Sequence, residues 1–349
     1  MLERIELLKK LCEAFGPSGH EDDVRDIVEG ELRALGFDPN VDSLGNIVVY
    51  AGNRENAPTI ILDAHMDEVG LLITHIDKEG FLRFEILGGI DGRILLSQRV
   101  KIRTDRGFIH GVIGAKAPHL LSPEERTKVP QYRSLFIDIG ASSRDEAIDM
   151  GVSEGSMAVF DTPFVLQGSR ILGKAFDDRI GCFMLLEILR KAREIPVNII
   201  GVFSIQEEVG LRGARALSMI LDADYAIALE STAAADTPGI PEYDYSTRLG
   251  RGPAITIADK AAISHPGLVR LLVNIAKRDS IPYQFKGRMV GGTDASAYQY
   301  VRRGIPSTTI SVPSRYIHTA CSVADISDIE NSIRLVLCFL RHIAGKDGI

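Results

Sequence analysis

The amino-acid sequence predicts an α/β protein in which a mostly parallel sheet, flanked by helices, carries an inserted β-rich, barrel-like domain. Helical and strand patterns alternate from about residue 171 to the end of the chain, which is typical of a parallel sheet covered by helices on both faces. Between about residues 71 and 166, short β-like segments follow one another with Gly-containing turns and no long helix. A length of 349 residues suits two domains of these kinds.

The change of pattern divides the chain into a discontinuous α/β domain, residues 1–70 and 167–349, and an inserted domain, residues 71–166. Apolar residues at helical spacing, or in short runs between turn residues, define the elements of the α/β domain. Its predicted helices cover residues 2–15, 20–36, 178–193, 211–221, 266–278, 294–303 and 325–343. Its predicted strands are NIVVYAG, TIILDAH, VNIIGVFSI, YAIALE and STTISV.

The inserted domain is predicted to consist of short strands. The six β-like segments are GLLITHI, GFLRFEIL, RVKIRT, GFIHGVIG, SLFIDIG and MAVFDTPF. The segment AKAPHLLSPEERTKVPQYR contains three prolines and many charges, so we expect it to be an exposed loop. Because the insertion has no catalytic cluster of its own, we expect it to serve oligomerisation.

Composition excludes several classes of partner. The net charge of −7 provides no basic surface for nucleic acid. No apolar run reaches the roughly 18 residues that span a bilayer, and the N-terminal segment mixes charges into its apolar positions unlike a signal peptide. The four cysteines are scattered without a CxxC pair, which favours reduced thiols and a cytoplasmic location.

Carboxylates and histidines follow the predicted strands of the α/β domain or precede its helices. In open α/β sheets, ligands bind beyond the carboxyl ends of the strands, so these side chains are expected to converge. Each has an ordinary alternative explanation, such as Asp177 acting as a helix N-cap and Asp178 lying in a first helical turn. Together they favour a divalent metal, which neutralises clustered charge. The residues concerned are His65, Asp67, Asp177, Asp178, Glu207, Glu208, Glu230 and His318.

The ligand types and their spacing suggest roles. Imidazole with carboxylate suits Zn²⁺, Co²⁺ or Mn²⁺ better than Ca²⁺ or Mg²⁺. His65 and Asp67 are two residues apart, so on a strand they point to the same side and Asp67 can accept the second ring N–H of His65. Glu207 and Glu208 are adjacent, so one can bind metal while the other acts as general base.

Five motifs resemble those of the M42 metallo-aminopeptidases, a family that includes the tetrahedral (TET) and glutamyl aminopeptidases. The motifs are DAHMDEVG, GKAFDDRIGC, QEEVGLRGA, GGTDASAY and RYIHT, and they extend over most of the chain. The resemblance implies a two-metal exopeptidase fold whose inserted domain serves oligomerisation. It also implies peptide substrates with a free N-terminus, and dimers assembled into a tetrahedral dodecamer.

The resemblance also assigns roles to residues of this chain. It implies two divalent ions per subunit, Zn²⁺ or Co²⁺, with Asp177 bridging both and Glu207 acting as general base. Asp67 is then the residue that orients a ligand. The remaining ligands are His65, Glu208, Glu230 and His318, and the residues implied at the substrate site are Gly292, Thr293 and Asp294.

Some residues of the motifs depart from the family or have no assigned role. Glu230 stands where many relatives have Asp, and its longer side chain would change the reach to a metal. Cys321, three residues after His318, is expected to be a small packed thiol rather than a ligand. Asp63 and Glu68 receive no role. Thr293 or Asp294 is also expected to cap the helix that follows it.

The expected reaction is hydrolysis of the first peptide bond by a metal-activated water, with Glu207 moving the proton. A deacylase or carboxypeptidase-type hydrolase of the same fold would have similar acids and histidines. A glycosidase, suggested by the cellulase label of some relatives, would need two carboxylates and no metal. A non-catalytic assembly protein is a further alternative. The preferred N-terminal residue is left open.

Overall fold

The computed structural model describes residues 3–52, 54–301 and 303–345, which form eight α-helices and seventeen strands. The helices are α1 (Ile5–Glu13), α2 (Asp22–Ala34), α3 (Arg144–Asp149), α4 (Phe176–Lys191), α5 (Arg212–Ser218), α6 (Pro266–Arg278), α7 (Ala295–Gln299) and α8 (Ile326–Ala344). The strands are β1 (Asn40–Val41), β2 (Ile47–Ala51), β3 (Thr59–His65), β4 (Gly70–Ile76), β5 (Leu82–Leu87), β6 (Arg99–Thr104), β7 (Gly107–Gly114), β8 (Phe136–Asp138), β9 (Met157–Phe160), β10 (Val165–Gln167), β11 (Arg170–Gly173), β12 (Asn198–Ser204), β13 (Tyr225–Ala233), β14 (Ala254–Ile255), β15 (Gln284–Phe285), β16 (Ser307–Arg315) and β17 (Ser322–Asp325).

The main sheet has eleven strands and a parallel centre. Four strands in the order β12-β3-β13-β16 run parallel. At one edge, β2 pairs with β12 and β1 with β2, both antiparallel. At the other edge, β17 pairs with β16, β11 with β17 and β10 with β11, and these pairs are also antiparallel. The sheet is therefore mixed, and the prediction of a mostly parallel sheet is right only for its centre. The outer strands β10 and β11 are joined by a short turn, and a short turn can only return the chain antiparallel.

Helices cover both faces of this sheet. Successive side chains of β3 point to opposite faces, as expected for a strand. Ile60 and Leu62 belong to the larger core, which also contains the buried side of α4 and α8. Ile61 packs instead into a smaller cluster with Leu217 of α5 and Tyr298 of α7. Strand β3 is thus buried on both faces, and its final residues lie at an enclosed edge of the sheet.

The second unit is a closed barrel of six strands in the order β4-β5-β8-β7-β6-β9. It has its own apolar core, including Leu71, Ile73, Val100 and Ile102. Each of the six predicted segments contributes one barrel strand, so the predicted barrel-like insertion is present. The barrel strands lie between β3 and β10 in sequence. The division of the chain into two domains at residues 70 and 167, and the role of the insertion in oligomerisation, stay predictions.

Helix predictions were most accurate where the apolar period is long. Helix α6 has the predicted bounds, whereas the helix predicted over 294–303 is only α7 (Ala295–Gln299). The chain has to turn at Gly304, which has a positive φ of 76°, in order to begin β16 three residues later. The short strands of the main sheet, such as β17, were missed because two to four residues are too few for alternation to be detected. No helix among the described residues has the length and hydropathy needed to cross a membrane.

Candidate metal centre and active site

The ends of the parallel strands bring the predicted ligands together. His65 ends β3 and Glu230 lies within the adjacent β13, while Glu207 and Glu208 follow β12. Asp177 lies at the start of α4, which packs against β3 and β13. Because parallel strands end at a common edge, side chains far apart in sequence meet there.

Two histidines lie on opposite sides of one carboxylate. The Nε2 atom of His65 is 3.3 Å from Oδ1 of Asp177, and the Nε2 atom of His318 is 3.3 Å from its Oδ2. Around His65, Glu230 and Glu207 have carboxylate oxygens at 3.6 and 3.9 Å from Nε2. Around His318, Oε1 of Glu208 lies at 3.2 Å from Nε2. The cluster therefore has two centres that share Asp177.

The donor set fits a metal ion. Oδ1 of Asp177 and Oε1 of Glu208 are buried and have no hydrogen-bond partner within the described part of the chain. Leaving buried carboxylate oxygens without a partner is costly unless a cation compensates them. Ligand atoms lie within 4.8 Å of one another in three overlapping groups: His65, Glu207 and Glu230; His65, Asp177 and Glu208; and Asp177, Asp178 and Glu230.

The electrostatics of the cluster reflect burial and mutual contact. Burial by itself lowers the pKa of His318, but contacts with Asp177 and Glu208 raise it to about 11. Burial also lowers the pKa of His65, but its contacts with Asp177 and Asp67 outweigh burial and raise the pKa well above its usual range. Burial raises the pKa of Glu207 well above that of an ordinary carboxyl group. Because imidazole binds a metal in its neutral form, a metal ion would compete with protons at these histidines.

Asp67 connects His65 to the loop that carries the two glutamates. Its Oδ1 lies 3.3 Å from Nδ1 of His65 and accepts the N–H of Glu207 at 2.9 Å. Its Oδ2 accepts the N–H of Glu208 at 3.2 Å and the hydroxyl of Ser18 at 2.6 Å. Although burial opposes it, the contact with His65 lowers the pKa of Asp67. Ser18 was not among the predicted site residues, because it lies in the GPSG turn (residues 16–19) between α1 and α2 and does not follow a strand.

The start of α4 differs from the predicted capping arrangement. Asp178 is the residue that caps, since its Oδ1 accepts the N–H of Gly181 at 3.0 Å. Its Oδ2 also accepts the N–H of His65 at 3.3 Å. The default interpretation of Asp177 as an N-cap is therefore wrong, and its side chain is free to lie between the two histidines. The peptide bond between Asp177 and Asp178 is cis.

The GGTDASAY loop places its residues in two different environments. Gly292 and Thr293 line a cavity of about 520 Å³ beside the cluster. Asp294 is buried away from the lining of that cavity, and its Oδ2 accepts the hydroxyl of Ser204 at 2.6 Å. The Thr293 hydroxyl lies 2.7 Å from that of Thr309. The expected side-chain cap on α7 is wrong, because neither residue makes one.

Asp63, which had no predicted role, lies on the fully buried part of β3. Its Oδ2 accepts the hydroxyl of Tyr298 at 2.6 Å, and its Oδ1 has no partner among the described residues. Burial, reinforced by nearby Asp294, raises the pKa of Asp63 well above its usual range. Burial also raises the pKa of Asp294 to about 6. Two acidic groups thus lie beneath His65 on the α7 side of the sheet.

Glu68, also without a predicted role, belongs to a buried ion network. Its carboxylate lies 2.6 Å from Nζ of Lys174 and 3.1 Å from Nη2 of Arg179. Arg179 also donates to the carbonyl oxygens of Leu11 and Gly16, at 2.6 and 3.2 Å. The network therefore fixes the end of α1 and the GPSG turn against α4. The turn in turn presents Ser18 to Asp67.

Cys321 does not join the cluster. Its side chain is exposed rather than packed, so the expectation of a small packed thiol is wrong. The thiol contacts the carbonyl oxygen of Ser322, and Cys321 is absent from every metal-ligating group found among the described residues. All four cysteines are free.

An α/β sheet with a buried histidine–carboxylate cluster at its parallel strand ends, opening into a cavity, is the arrangement of a metal-dependent hydrolase. The family model for M42 glutamyl aminopeptidases matches residues 45–335 of this chain. The chain therefore belongs to the M42 family of aminopeptidases, which are metal-dependent hydrolases, and the resemblance of its motifs is confirmed.

Individual relatives resemble it over nearly the whole length. The lysyl aminopeptidase of Pyrococcus furiosus is 34% identical over 98% of both chains. A TET aminopeptidase from a marine sediment archaeon, Thaumarchaeota archaeon SCGC AB-539-E09, is 40% identical over 98% of both chains, with a TM-score of 0.94. The TET1 peptidase of Pyrococcus horikoshii, which can assemble into a tetrahedron or a large octahedral shell, is 37% identical over 96% of this chain and 98% of its own, with a TM-score of 0.86.

Proposed function

We propose that this protein is a dinuclear aminopeptidase that hydrolyses the N-terminal bond of peptides with a free N-terminus. The observation that carries the proposal is the position of Asp177 between His65 and His318, with one oxygen 3.3 Å from each ring. Glu230 lies on the His65 side and Glu208 on the His318 side. Two divalent ions, Zn²⁺ or Co²⁺, would be held by these five residues, with Asp177 shared between them.

When bound, such ions would supply Lewis acidity, which can polarise a carbonyl group and lower the pKa of water. The proton itself is moved by Glu207, which lines the cavity and whose pKa is raised by burial. A carboxylate with a raised pKa is suited to take a proton from water near neutral pH and return it to the leaving amine. Asp67 holds both His65 and the backbone of Glu207, so it fixes their relative positions.

The first test replaces Glu207 with Gln. Because the amide cannot accept the proton, we expect kcat for alanyl-p-nitroanilide to fall roughly 10²- to 10⁴-fold while metal content is retained. Turnover equal to that of an active wild type would exclude Glu207 as the base. If the wild type and the variant are both inactive, the alternative of a non-catalytic assembly protein is favoured.

Substrate and chelator controls separate the alternatives. An aminopeptidase hydrolyses alanyl-p-nitroanilide but not its N-acetylated form, whereas a deacylase of the same fold accepts the acetylated amine. Complete loss of activity with a chelator, restored by Zn²⁺ or Co²⁺, is expected here and would not be expected of a glycosidase that works with two carboxylates.

Assembly into a homo-oligomer is part of the proposal. The similarity to a peptidase that forms tetrahedra and octahedral shells supports it, as do exposed apolar side chains such as Ile220 and Tyr243. Light scattering should give a mass twelve times that of the chain for a tetrahedral dodecamer, and a monomer mass at micromolar concentration would contradict this.

A further inference from the structure

The cavity beside the metal centre has an uneven charge distribution. One end of its wall is formed by the cluster, including Glu207, Glu208 and Glu230. The rest of the described wall consists of glycines, small hydroxyl-bearing side chains and apolar side chains, together with a single cationic side chain, Lys286. Among the described lining residues, no carboxylate lies outside the cluster. The cavity of about 520 Å³ has room for an amino-acid side chain.

Lys286 is held by its backbone and has no counter-ion among the described residues. It follows strand β15, and its N–H donates to the carbonyl oxygen of Ile255 at 3.2 Å. Its side chain is half-buried and makes no ion pair with any residue that the structure describes. The nearby cation Arg288, by contrast, forms an ion pair with Asp244. A half-buried lysine that lines the cavity, where the carboxylates all belong to the cluster, can form a charge-assisted hydrogen bond with an anionic ligand.

We propose that Lys286 binds the side-chain carboxylate of an N-terminal glutamate or aspartate, so that the enzyme prefers acidic N-terminal residues. The inference rests on the proposed aminopeptidase function. Since the scissile bond must lie at the cluster, the first side chain of any substrate lies at a fixed distance from it. The C-terminal carboxylate lies at a distance that varies with peptide length. A cation anchored in the cavity wall therefore matches the side chain.

Membership of the family does not decide this preference. The matching family model is described as glutamyl aminopeptidase, while a relative 34% identical is a lysyl aminopeptidase. Cationic and anionic side chains need opposite charges in the pocket, so the residues that line it must differ between such enzymes. Among the described residues that line this cavity, the charge outside the cluster is that of Lys286.

The test compares glutamyl- and glutaminyl-p-nitroanilide, which have nearly the same size but differ in charge. For the metal-loaded wild type we expect kcat/KM to be roughly 10- to 100-fold higher with the glutamyl substrate, the range typical of a charged hydrogen bond. Lys286→Met should reduce that ratio to near one, mainly through KM. Lys286→Glu should favour lysyl-p-nitroanilide over the glutamyl substrate.

A matched control and a binding measurement complete the design. Lys277→Met removes an exposed lysine on α6, outside the cavity lining, and should leave the glutamyl-to-glutaminyl ratio unchanged. Free glutamate should inhibit hydrolysis of alanyl-p-nitroanilide at least tenfold more strongly than glutamine does in the wild type, and about equally in Lys286→Met.

The outcomes separate this inference from the proposed function. If the wild type hydrolyses alanyl-p-nitroanilide but shows no preference for glutamyl over glutaminyl, or if Lys286→Met keeps the preference, the inference alone is overturned. If no aminoacyl-p-nitroanilide is hydrolysed by enzyme loaded with Zn²⁺ or Co²⁺, the aminopeptidase proposal fails and the assignment of Lys286 fails with it.

Discussion

Four polar side chains at the end of β3 are neighbours in sequence but have four different environments. His65 faces the cluster, and Asp67 supports it through its contacts with two loops. Asp63 lies below it with Tyr298, and Glu68 is paired with Lys174. The same-side placement of His65 and Asp67 followed from the two-residue period of a strand. The environments of the other two depend on residues more than 100 positions away.

Substitutions at His65 and Asp67 should affect metal binding to different degrees. We expect His65→Ala to abolish occupancy of one metal position, since it removes a ligand. Asp67→Asn should weaken metal affinity roughly 10- to 100-fold, the range seen for groups that orient ligands. Metal content after dialysis against buffered free zinc measures both effects. Asp145→Asn, on the exposed first turn of α3, serves as the control. Wild-type metal content in both variants would contradict the assigned metal centre.

Tyr298 should matter for stability through its hydroxyl group. Tyr298→Phe keeps the ring but leaves the buried Asp63 carboxylate without its 2.6 Å hydrogen bond. We expect a loss of about 1–3 kcal/mol in the free energy of unfolding, because a buried acceptor becomes unsatisfied. Urea denaturation measures it. The control is Tyr300→Phe, since the Tyr300 side chain is 78% exposed and water can replace its hydrogen bond. Equal stability of the two variants would argue against a structural role for the Asp63–Tyr298 contact.

At the scale of elements, α4 is the organising helix of the active site. It packs against β3, β13, α1 and α8, and its first residues supply both Asp177 and the cap Asp178. Its location was predictable from the long apolar period of residues 178–193. Which of the two aspartates caps the helix was not predictable, because both occupy suitable positions in the sequence.

The ion network at the start of α4 should be essential to this arrangement. Arg179→Met leaves Glu68 with one cationic partner and frees the carbonyl oxygens of Leu11 and Gly16. We expect a loss of about 3–5 kcal/mol in unfolding free energy, as is usual when one partner of a buried ion network is removed. In contrast, Arg93→Met breaks an exposed pair with Asp91 and should change the unfolding free energy far less, because solvent screens that pair. Thermal and urea denaturation of both variants provide the comparison.

At the scale of the whole molecule, metal binding should be linked to stability. The cluster gathers acids and histidines from β3, β13, the start of α4 and the loops that follow β12 and β16, so a bound cation would hold several elements together. At a free metal concentration of 100 times Kd, we expect the native state to gain about 2.7 kcal/mol relative to apoprotein. Unfolding measured with and without a chelator tests this. The gain should be much smaller in His65→Ala, and an unfolding curve insensitive to metal would contradict a buried metal centre.

The sequence by itself determined the order of the long helices and strands, the barrel-like insertion and the residues that meet at the strand ends. These depend on local periodicity and on the fact that parallel strands end at a common edge. The tertiary structure decided the antiparallel edges of the sheet, the burial of Asp294 and the position of Asp177 between two histidines. It also brought Lys286 into the cavity wall and paired Asp63 with Tyr298, 235 positions away. No local pattern encodes such contacts, because they arise only when distant segments pack against one another.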